Sequence, residues 1–339
     1  MPDGDRLPML VPDRLDDVPA RLRGGVVAVG NFDGVHAGHR ALLLAAQAEA
    51  WRRGVPAVAL TFEPHPRTYF RPGEPVFRLT PLPAKARLLG ALGIDGLVVA
   101  DFDRALAEMP AAAFVDEILV GRLKLAAAVV GFNFHFGKGR SGSPSLLLQA
   151  GPERGFAVTV VGEVQVEGGG RPCSSSAIRA RLSEGDIAEA NADLGYRWFV
   201  IGTVIPGERR GRDLGFPTAN LRLGPDCRLR HGVYAVRLQR ADGSCLDGVA
   251  SYGRRPTFDN GPPLLEVHAL DFAGDLYGEQ VMVSFVAWLR PELKFNSVDE
   301  LVAAMHGDVE RGRAILAAAD PGSDLDRRLN GRLQGRLPL

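Results

Sequence analysis

The sequence predicts two folds in series: a doubly wound α/β domain with a parallel, Rossmann-like sheet, then an antiparallel β-barrel that ends in a helix. Two rhythms carry that expectation. Through the first half, short apolar runs alternate with helix-like segments, the pattern of a parallel sheet covered by helices. From Trp198 onward, strand-like runs are joined by short turns, the pattern of an antiparallel barrel. In order, strands are expected at Val26–Val29, Val55–Phe62, Leu97–Ala100, Ala126–Val130 and Phe156–Val161, with helices at Arg40–Arg53, Ala84–Leu92 and Ala111–Leu123 between them. The second half reads as "WFVIGTVIPG", "GVYAVRLQR", "CLDGVASYG", "LLEVHALDF" and "LYGEQVMVSFVAWL", with turns at "ADGS" and "AGD". It closes on "SVDELVAAMHGDVERGRAILAAA", where Ser297 and Glu300 form a capping-box pattern. The expected division is 15–184 for the first domain, 185–197 for a linker of helical turn and loop, 198–319 for the second domain, and 320–339 for a disordered tail without usable period.

At 339 residues, 46% hydrophobic and 24% charged, the chain has room for two globular domains. Forty basic residues balance forty acidic ones, so no global field draws in nucleic acid or an anionic membrane. An anion must be gripped locally. Cys173, Cys227 and Cys245 are odd in number and lack C-x-x-C spacing, which argues against a disulfide framework and a zinc site. The first residues lack the basic-then-apolar order of a signal peptide, and no run reaches the ~20 apolar residues of a membrane helix. The expectation is a soluble cytoplasmic protein with no membrane and no nucleic-acid partner. Nothing in the sequence sets its oligomeric state.

In an open parallel sheet, ligands bind beyond the carboxyl ends of the strands. The unusual residues fall there. "GNFDGVHAGH" (30–39) follows the first strand, "EPHPR" (63–67) the second, "GFNFHFGKGRSG" (131–142) the fourth and "CSSSAIR" (173–179) the fifth. Gly30, Gly34 and Gly38 let backbone approach a ligand closely, and the helix that begins near His36 offers unpaired N–H groups and a positive dipole end to an anion. His36 and His39, at i and i+3, share one face of the first turn and can both donate to phosphate oxygens. With Asp33 they could alternatively ligate a metal, although helical zinc pairs are usually spaced i, i+4. Ser174, Ser175 or Ser176 can cap "AIRARL", and Arg179 then lies one turn into that helix.

No G-x-x-x-x-G-K-[ST] occurs anywhere in the chain, so a Walker-type kinase is excluded. "GRDLGFPTANL" (211–221) is flexible at Gly211 and Gly215 and rigid at Pro217, and it ends on Thr218 and Asn220. If extended, it points both of those side chains the same way, with oxygens suited to magnesium. In "LLEVHALDF", Glu266, His268 and Leu270 are expected on one strand face.

These motifs resemble the bifunctional riboflavin kinase/FAD synthetases. "GNFDGVHAGH" is similar to that family's G-x-F-D-G-x-H-x-G-H signature, of which the nucleotidyltransferase H-x-G-H is the short form. "SSSAIR" resembles S-S-T-x-I-R with Ser176 for Thr, and "VVGFNFHFGKGRSG" resembles a glycine-rich F-x-F-G stretch. "GRDLGFPTAN" resembles the flavokinase G-R-x-L-G-F-P-T-A-N, and "EVHALDFAGDLYG" and "LRPELKF" match further family segments. "GVASYGRRPTF" (248–258) fits the family's G-V-A-N-x-G-x-x-P-T-F except for Ser251 in place of Asn, and reads as packing and loop shape.

The resemblance implies a nucleotidyltransferase domain that transfers AMP from ATP to FMN, giving FAD and pyrophosphate, and a barrel that phosphorylates riboflavin to FMN. It implies Mg2+ and ATP at both sites. In the first, Gly30, Asn31, Phe32, Asp33, Gly34, Gly38, Asn133, Ser174, Ser175 and Arg179 would bind nucleotide, with His36 and His39 acting on the phosphates. In the second, Gly211, Gly215 and Pro217 would shape the nucleotide loop, Thr218 and Asn220 would hold the metal, and Glu266 would be the base. Alternatives are a chain with one live site, or a flavin- or nucleotide-binding module without turnover.

Overall fold

The computed structural model describes residues 9–12, 15–164, 173–207, 211, 214–254 and 263–330. The described residues divide into two compact units: those up to 76 and from 80 to 174 form the first, and 77–79 with those from 175 onward form the second.

The first unit is built on five parallel strands, β1 (Val26–Val29), β2 (Ala57–Glu63), β3 (Gly96–Asp101), β4 (Ala127–Gly131) and β5 (Ala157–Val161), ordered β3-β2-β1-β4-β5. β1 to β4 are almost wholly buried, which is why they read as unbroken Val/Ala/Leu runs and not as alternating ones. Helices α1 (Ala37–Arg53), α2 (Pro66–Phe70), α3 (Leu82–Ala91), α4 (Arg104–Glu108), α5 (Ala111–Ala113) and α6 (Pro144–Glu153) connect them. The helix expected at Ala111–Leu123 is present, but from Phe114 to Arg122 it widens into π-helical turns while still burying Phe114, Val115, Ile118 and Leu119. The chain builds outward from β1 through β2 to β3, then returns to β4 on the other side. The point where the order reverses lies between the carboxyl ends of β1 and β4, where doubly wound sheets bind ligands.

The second unit holds six antiparallel strands, β6 (Phe199–Thr203), β7 (Ala219–Arg222), β8 (Gly232–Gln239), β9 (Cys245–Gly253), β10 (Leu264–Ala269) and β11 (Gln280–Arg290), ordered β6-β11-β8-β9-β10-β7. An Ile205–Asn220 bridge ties the segment after β6 to β7 at the far edge, so the sheet nearly closes. Leu221, Leu265 and Tyr252, in register across β7, β10 and β9, are buried on one face. Helices α7 (Ser175–Glu184), α8 (Ile187–Leu194), α9 (Val298–Ala318) and α10 (Asp324–Leu329) complete the unit.

Three local outcomes differ from the sequence reading. Residues 187–194, expected as a helical turn in a linker, form α8, which buries Ile187, Ala190 and Leu194; its Asn191 accepts from Trp198 N at 2.8 Å and donates to Phe285 O at 3.0 Å. Within the expected disordered tail, α10 has a complete capping box between Ser323 and Asp326 and buries Leu325 and Leu329; a short helix with one apolar face has too few residues to show a period. Ahead of α9, Ser297 Oγ does accept from Glu300 N at 3.1 Å, but the Glu300 carboxylate takes Asn296 N at 2.9 Å, one residue before the cap.

Candidate functional site

The first candidate site is the loop between β1 and α1. Three residues of unusual backbone conformation shape it: Phe32 at φ 48°, Gly34 at φ 89° and Val35 at φ 40°. Glycine takes such angles freely, whereas a β-branched valine there is strained. The surroundings hold it. Asp33, 1% exposed, accepts from Thr80 N at 3.0 Å; Thr80 Oγ1 in turn accepts from Gly34 N at 2.8 Å and lies 3.2 Å from Phe32 O. From the other side, Thr61 Oγ1 donates to Asn31 O at 3.1 Å and accepts from the fully buried Lys85 Nζ at 3.0 Å, which pairs with Glu63 at 3.3 Å.

That loop delivers His36 to the N-cap position of α1, where its side chain makes no cap bond to the helix backbone. The His36 and His39 rings stack with centroids 3.8 Å apart, and Phe32 meets His39 edge-on at 5.6 Å. A Cβ on Gly38 would stand 3.2 Å from His36 Cε1, so the glycine gives the imidazole its place over the first turn. Two stacked rings beside a helix N-terminus put N–H donors next to the positive end of the helix dipole, a setting suited to phosphate. Among the described residues no three His, Cys, Asp or Glu side chains gather to hold a metal.

Asn133 is exposed just past the end of β4, next to the reversal point. Phe132 beside it is 48% exposed, and Phe70, beyond β2, is 63% exposed and packs edge-on with Tyr69 and Phe102. Gly30 continues β1 through its N–H to Leu60 O. Ser174 ends the first unit; Ser175 and Arg179 belong to α7 of the second, where Arg179 Nε donates to Phe77 O at 2.7 Å.

The second candidate site lies on β7, β9 and β10. Glu266 on β10 stands directly opposite Asn220 on β7 and Ser251 on β9, forming a row of three polar side chains on the face opposite Leu221, Leu265 and Tyr252. Directly opposed residues have Cβ atoms about 4.5–5.5 Å apart. Asn220 is 3% exposed, and its Oδ1 is buried with no hydrogen-bond partner among the described residues. A Cβ on Gly207 would fall 3.0 Å from Asn220 Cγ, so only glycine lets that backbone lie against the amide. Thr218 precedes β7 by one residue, which places it on the same side as Asn220. Pro217 O contacts His268 Nδ1 at 2.9 Å, and Phe216 packs edge-on against both His268 and His306 of α9. Gly211 O accepts from Phe216 N at 2.7 Å, and Gly215 takes φ 85° in open space. Arg290 clamps α9 to β11 through both oxygens of Asp308, at 2.7 and 2.9 Å. Arg212, Asp213 and 255–258 of the family-like segments lie outside the described residues.

Some residues were not found by motif reading. Thr61 and Thr80 touch the Gly30–His39 loop from 30 and 46 residues away and Lys85 backs Thr61; only Lys85 left a trace, as a cation among Ala84, Ala86, Leu88 and Leu89. Ser251, read as packing, stands beside Glu266 because of strand register alone. Leu270, expected on the Glu266 face, lies past the end of β10, buried in the turn.

Known proteins match both halves. The FAD synthetase family model covers residues 18–177 and the riboflavin kinase family model covers 194–316. The bifunctional riboflavin kinase/FMN adenylyltransferase of Escherichia coli K12 is 40% identical over 302 residues, which is 89% of this chain and 96% of that one. Its namesake from Listeria monocytogenes is 40% identical over 86% of this chain and 92% of that one. A crystal structure described as a macrolide-efflux protein from Streptococcus pneumoniae superposes with a TM-score of 0.78 at 30% identity, covering 91% of this chain and 99% of that one. Among the described residues no helix is long and apolar enough to cross a membrane. The ordered match over both halves places the chain in the bifunctional riboflavin kinase/FMN adenylyltransferase family, FAD synthetase domain first and riboflavin kinase domain second.

Proposed function

We propose that the Gly30–His39 loop and the Asn220–Glu266 row carry the family's two reactions, with riboflavin phosphorylated in the region 198–319 and FMN adenylylated in the region 15–184. ATP is the co-substrate of both, and the chain works in the cytoplasm.

The observation that carries the kinase half is the register that sets Glu266 against Asn220, whose buried Oδ1 has no hydrogen-bond partner among the described residues. Leaving such an oxygen unpaired costs about 1–3 kcal/mol, so the site is built for something that binds it. An oxygen-only donor set of Thr218 and Asn220 fits Mg2+, which supplies charge neutralisation on the ATP phosphates when bound. Glu266 accepts the proton of the riboflavin 5′-hydroxyl as that oxygen bonds to the γ-phosphorus and the bond to ADP breaks. A neutral alcohol needs such an acceptor, and a carboxylate facing the phosphate-binding row provides it.

FMN enters the other reaction already ionised. A phosphate oxygen attacks the α-phosphorus of ATP and pyrophosphate leaves, so no base is needed and alignment with charge stabilisation does the work. His36, His39 and the N–H groups at the start of α1 donate to the phosphates; Asn31, Asn133 and Ser174 supply further polar contacts. The exposed rings of Phe70 and Phe132 offer flat apolar surface to the flavin.

The test feeds one protein with either riboflavin or FMN, plus ATP and magnesium, and separates the flavins by chromatography. Glu266→Gln should block FMN formation and spare FAD formation from FMN, while His36→Ala should do the reverse. Loss of both activities in either variant would refute the assignment of separate sites.

A further inference from the structure

We propose that Thr80 is a positioning residue for adenylyl transfer: its hydroxyl and backbone N–H lock the Phe32–Val35 turn in the shape that aims the His36 ring and the α1 N-terminus at the ATP phosphates. The inference rests on the phosphate-binding reading of that loop. Thr80 lies 46 residues from Gly34 in sequence and belongs to none of the motifs that mark the site.

Three features support the assignment. The loop contains two non-glycine residues with positive φ, Phe32 at 48° and the β-branched Val35 at 40°, and both side chains are fully buried. A backbone held in such a region persists only where its surroundings over-determine it. Thr80 supplies that determination at adjacent points, because its N–H donates to Asp33 Oδ1 at 3.0 Å and its Oγ1 accepts from Gly34 N at 2.8 Å. The single hydroxyl proton then goes to Phe32 O at 3.2 Å or to Asp33 Oδ1 at 3.4 Å. Thr80 and Asp33 are each 1% exposed, so water does not compete for these bonds. Finally, the Asp33 carboxylate points into this lock. Its family-marked position therefore acts through Thr80 on loop shape, with the phosphate contacts left to the residues that follow.

Adenylyl transfer is sensitive to such aim, since a 1 Å misplacement can cost about 10²-fold in rate. Thr80→Val keeps shape and removes the hydroxyl; Thr80→Ser restores it. The full-length chain carries its own control, because riboflavin phosphorylation reports on the other unit. At a temperature well below the melting transition, Thr80→Val should lower kcat for FAD formation from FMN by about 10-fold to 10²-fold with KM for FMN little changed. Thr80→Ser should recover most of that loss, and FMN formation from riboflavin should be unaltered. A residue that merely stabilises the fold would lower the melting temperature and leave kcat of the folded enzyme intact. The proposal is overturned if Thr80→Val keeps normal kcat while His36→Ala loses it, or if Thr80→Ser is as impaired as Thr80→Val. If His36→Ala also keeps normal kcat, the phosphate-loop reading itself fails, and this proposal with it.

Discussion

Replacing Asn191 by alanine tests whether residues 187–194 are a linker or an integral clip of the kinase unit. The side chain makes two bonds in opposite senses, accepting from Trp198 N at 2.8 Å and donating to Phe285 O at 3.0 Å, and so pins the entry to β6 against β11. Trp198 is 1% exposed and Phe285 is 0% exposed. Alanine leaves one buried donor and one buried acceptor without their partner, at about 1–3 kcal/mol each, or about 4 kcal/mol together. For a unit of this size that lowers the melting temperature by about 8–16 °C. Scanning calorimetry of the full chain, with kinase and adenylyltransferase activity assayed after each heating step, assigns the transition that moves. Only the one that destroys kinase activity should shift. Asn191→Asp keeps the acceptor and loses the donor, so it should fall between. A shift below about 2 °C in the alanine variant would refute the clip and return this segment to the role of a connector.

Four further outcomes follow from the same structure. A fragment spanning Ser175–Asn330 should phosphorylate riboflavin alone, whereas Leu194–Ala319, which lacks Leu182, Asn191 and Leu325, should be inactive and poorly folded by circular dichroism. Asn220→Ala should weaken Mg-ATP binding, with partial rescue by excess magnesium; unaltered ATP affinity would reduce Asn220 to a turn residue. Gly207→Ala should mimic it with little loss of stability, because the added methyl displaces the Asn220 amide. Burial pushes the phenols of Tyr234 and Tyr252 well above their ordinary pKa of 10, so above that pH the unfolded chain loses protons that the folded one keeps. Stability of the kinase unit should therefore fall as pH rises past 10, by about 1.4 kcal/mol per pH unit for each phenol, and Tyr252→Phe should remove its share of the slope.

How much of this was legible in the sequence follows from how far each feature reaches along the chain. β1 to β4 were found within a residue or two because burial on both faces writes an uninterrupted apolar run. The Gly30–His39 loop and the Pro217–Asn220 segment stand out in the sequence because backbone that must approach a ligand closely concentrates glycine, proline and small polar residues into a few positions. α8 and α10 were missed because a single buried stripe on a short helix has no period to detect. Thr80 and Lys85 were missed because their meaning lies in partners that folding brings from tens of residues away. Ser251 shows the limit most directly. Its type says only "small and polar", and its place beside Glu266 is decided by the pairing of β9 with β10, a relation no local motif encodes.

The two sites also show why one chain needs two different ways of handling ATP. At the first, both partners in the reaction are anions, and the obstacle is repulsion and aim. On the proposed assignment the answer is a helix terminus, stacked imidazoles and a backbone loop held by buried polar groups. At the second, the nucleophile is neutral, and the obstacle is its proton. On the proposed assignment the answer is a carboxylate set across a strand pair from a buried amide oxygen, so that Glu266 and Asn220 are fixed by the same sheet register. A shift of that register by one residue would turn Glu266 into the apolar face occupied by Leu265 and bring Leu265 to the site. The barrel's apolar core and its chemistry are thus specified together, and mutations that loosen β10 pairing should lose kinase activity before the unit unfolds.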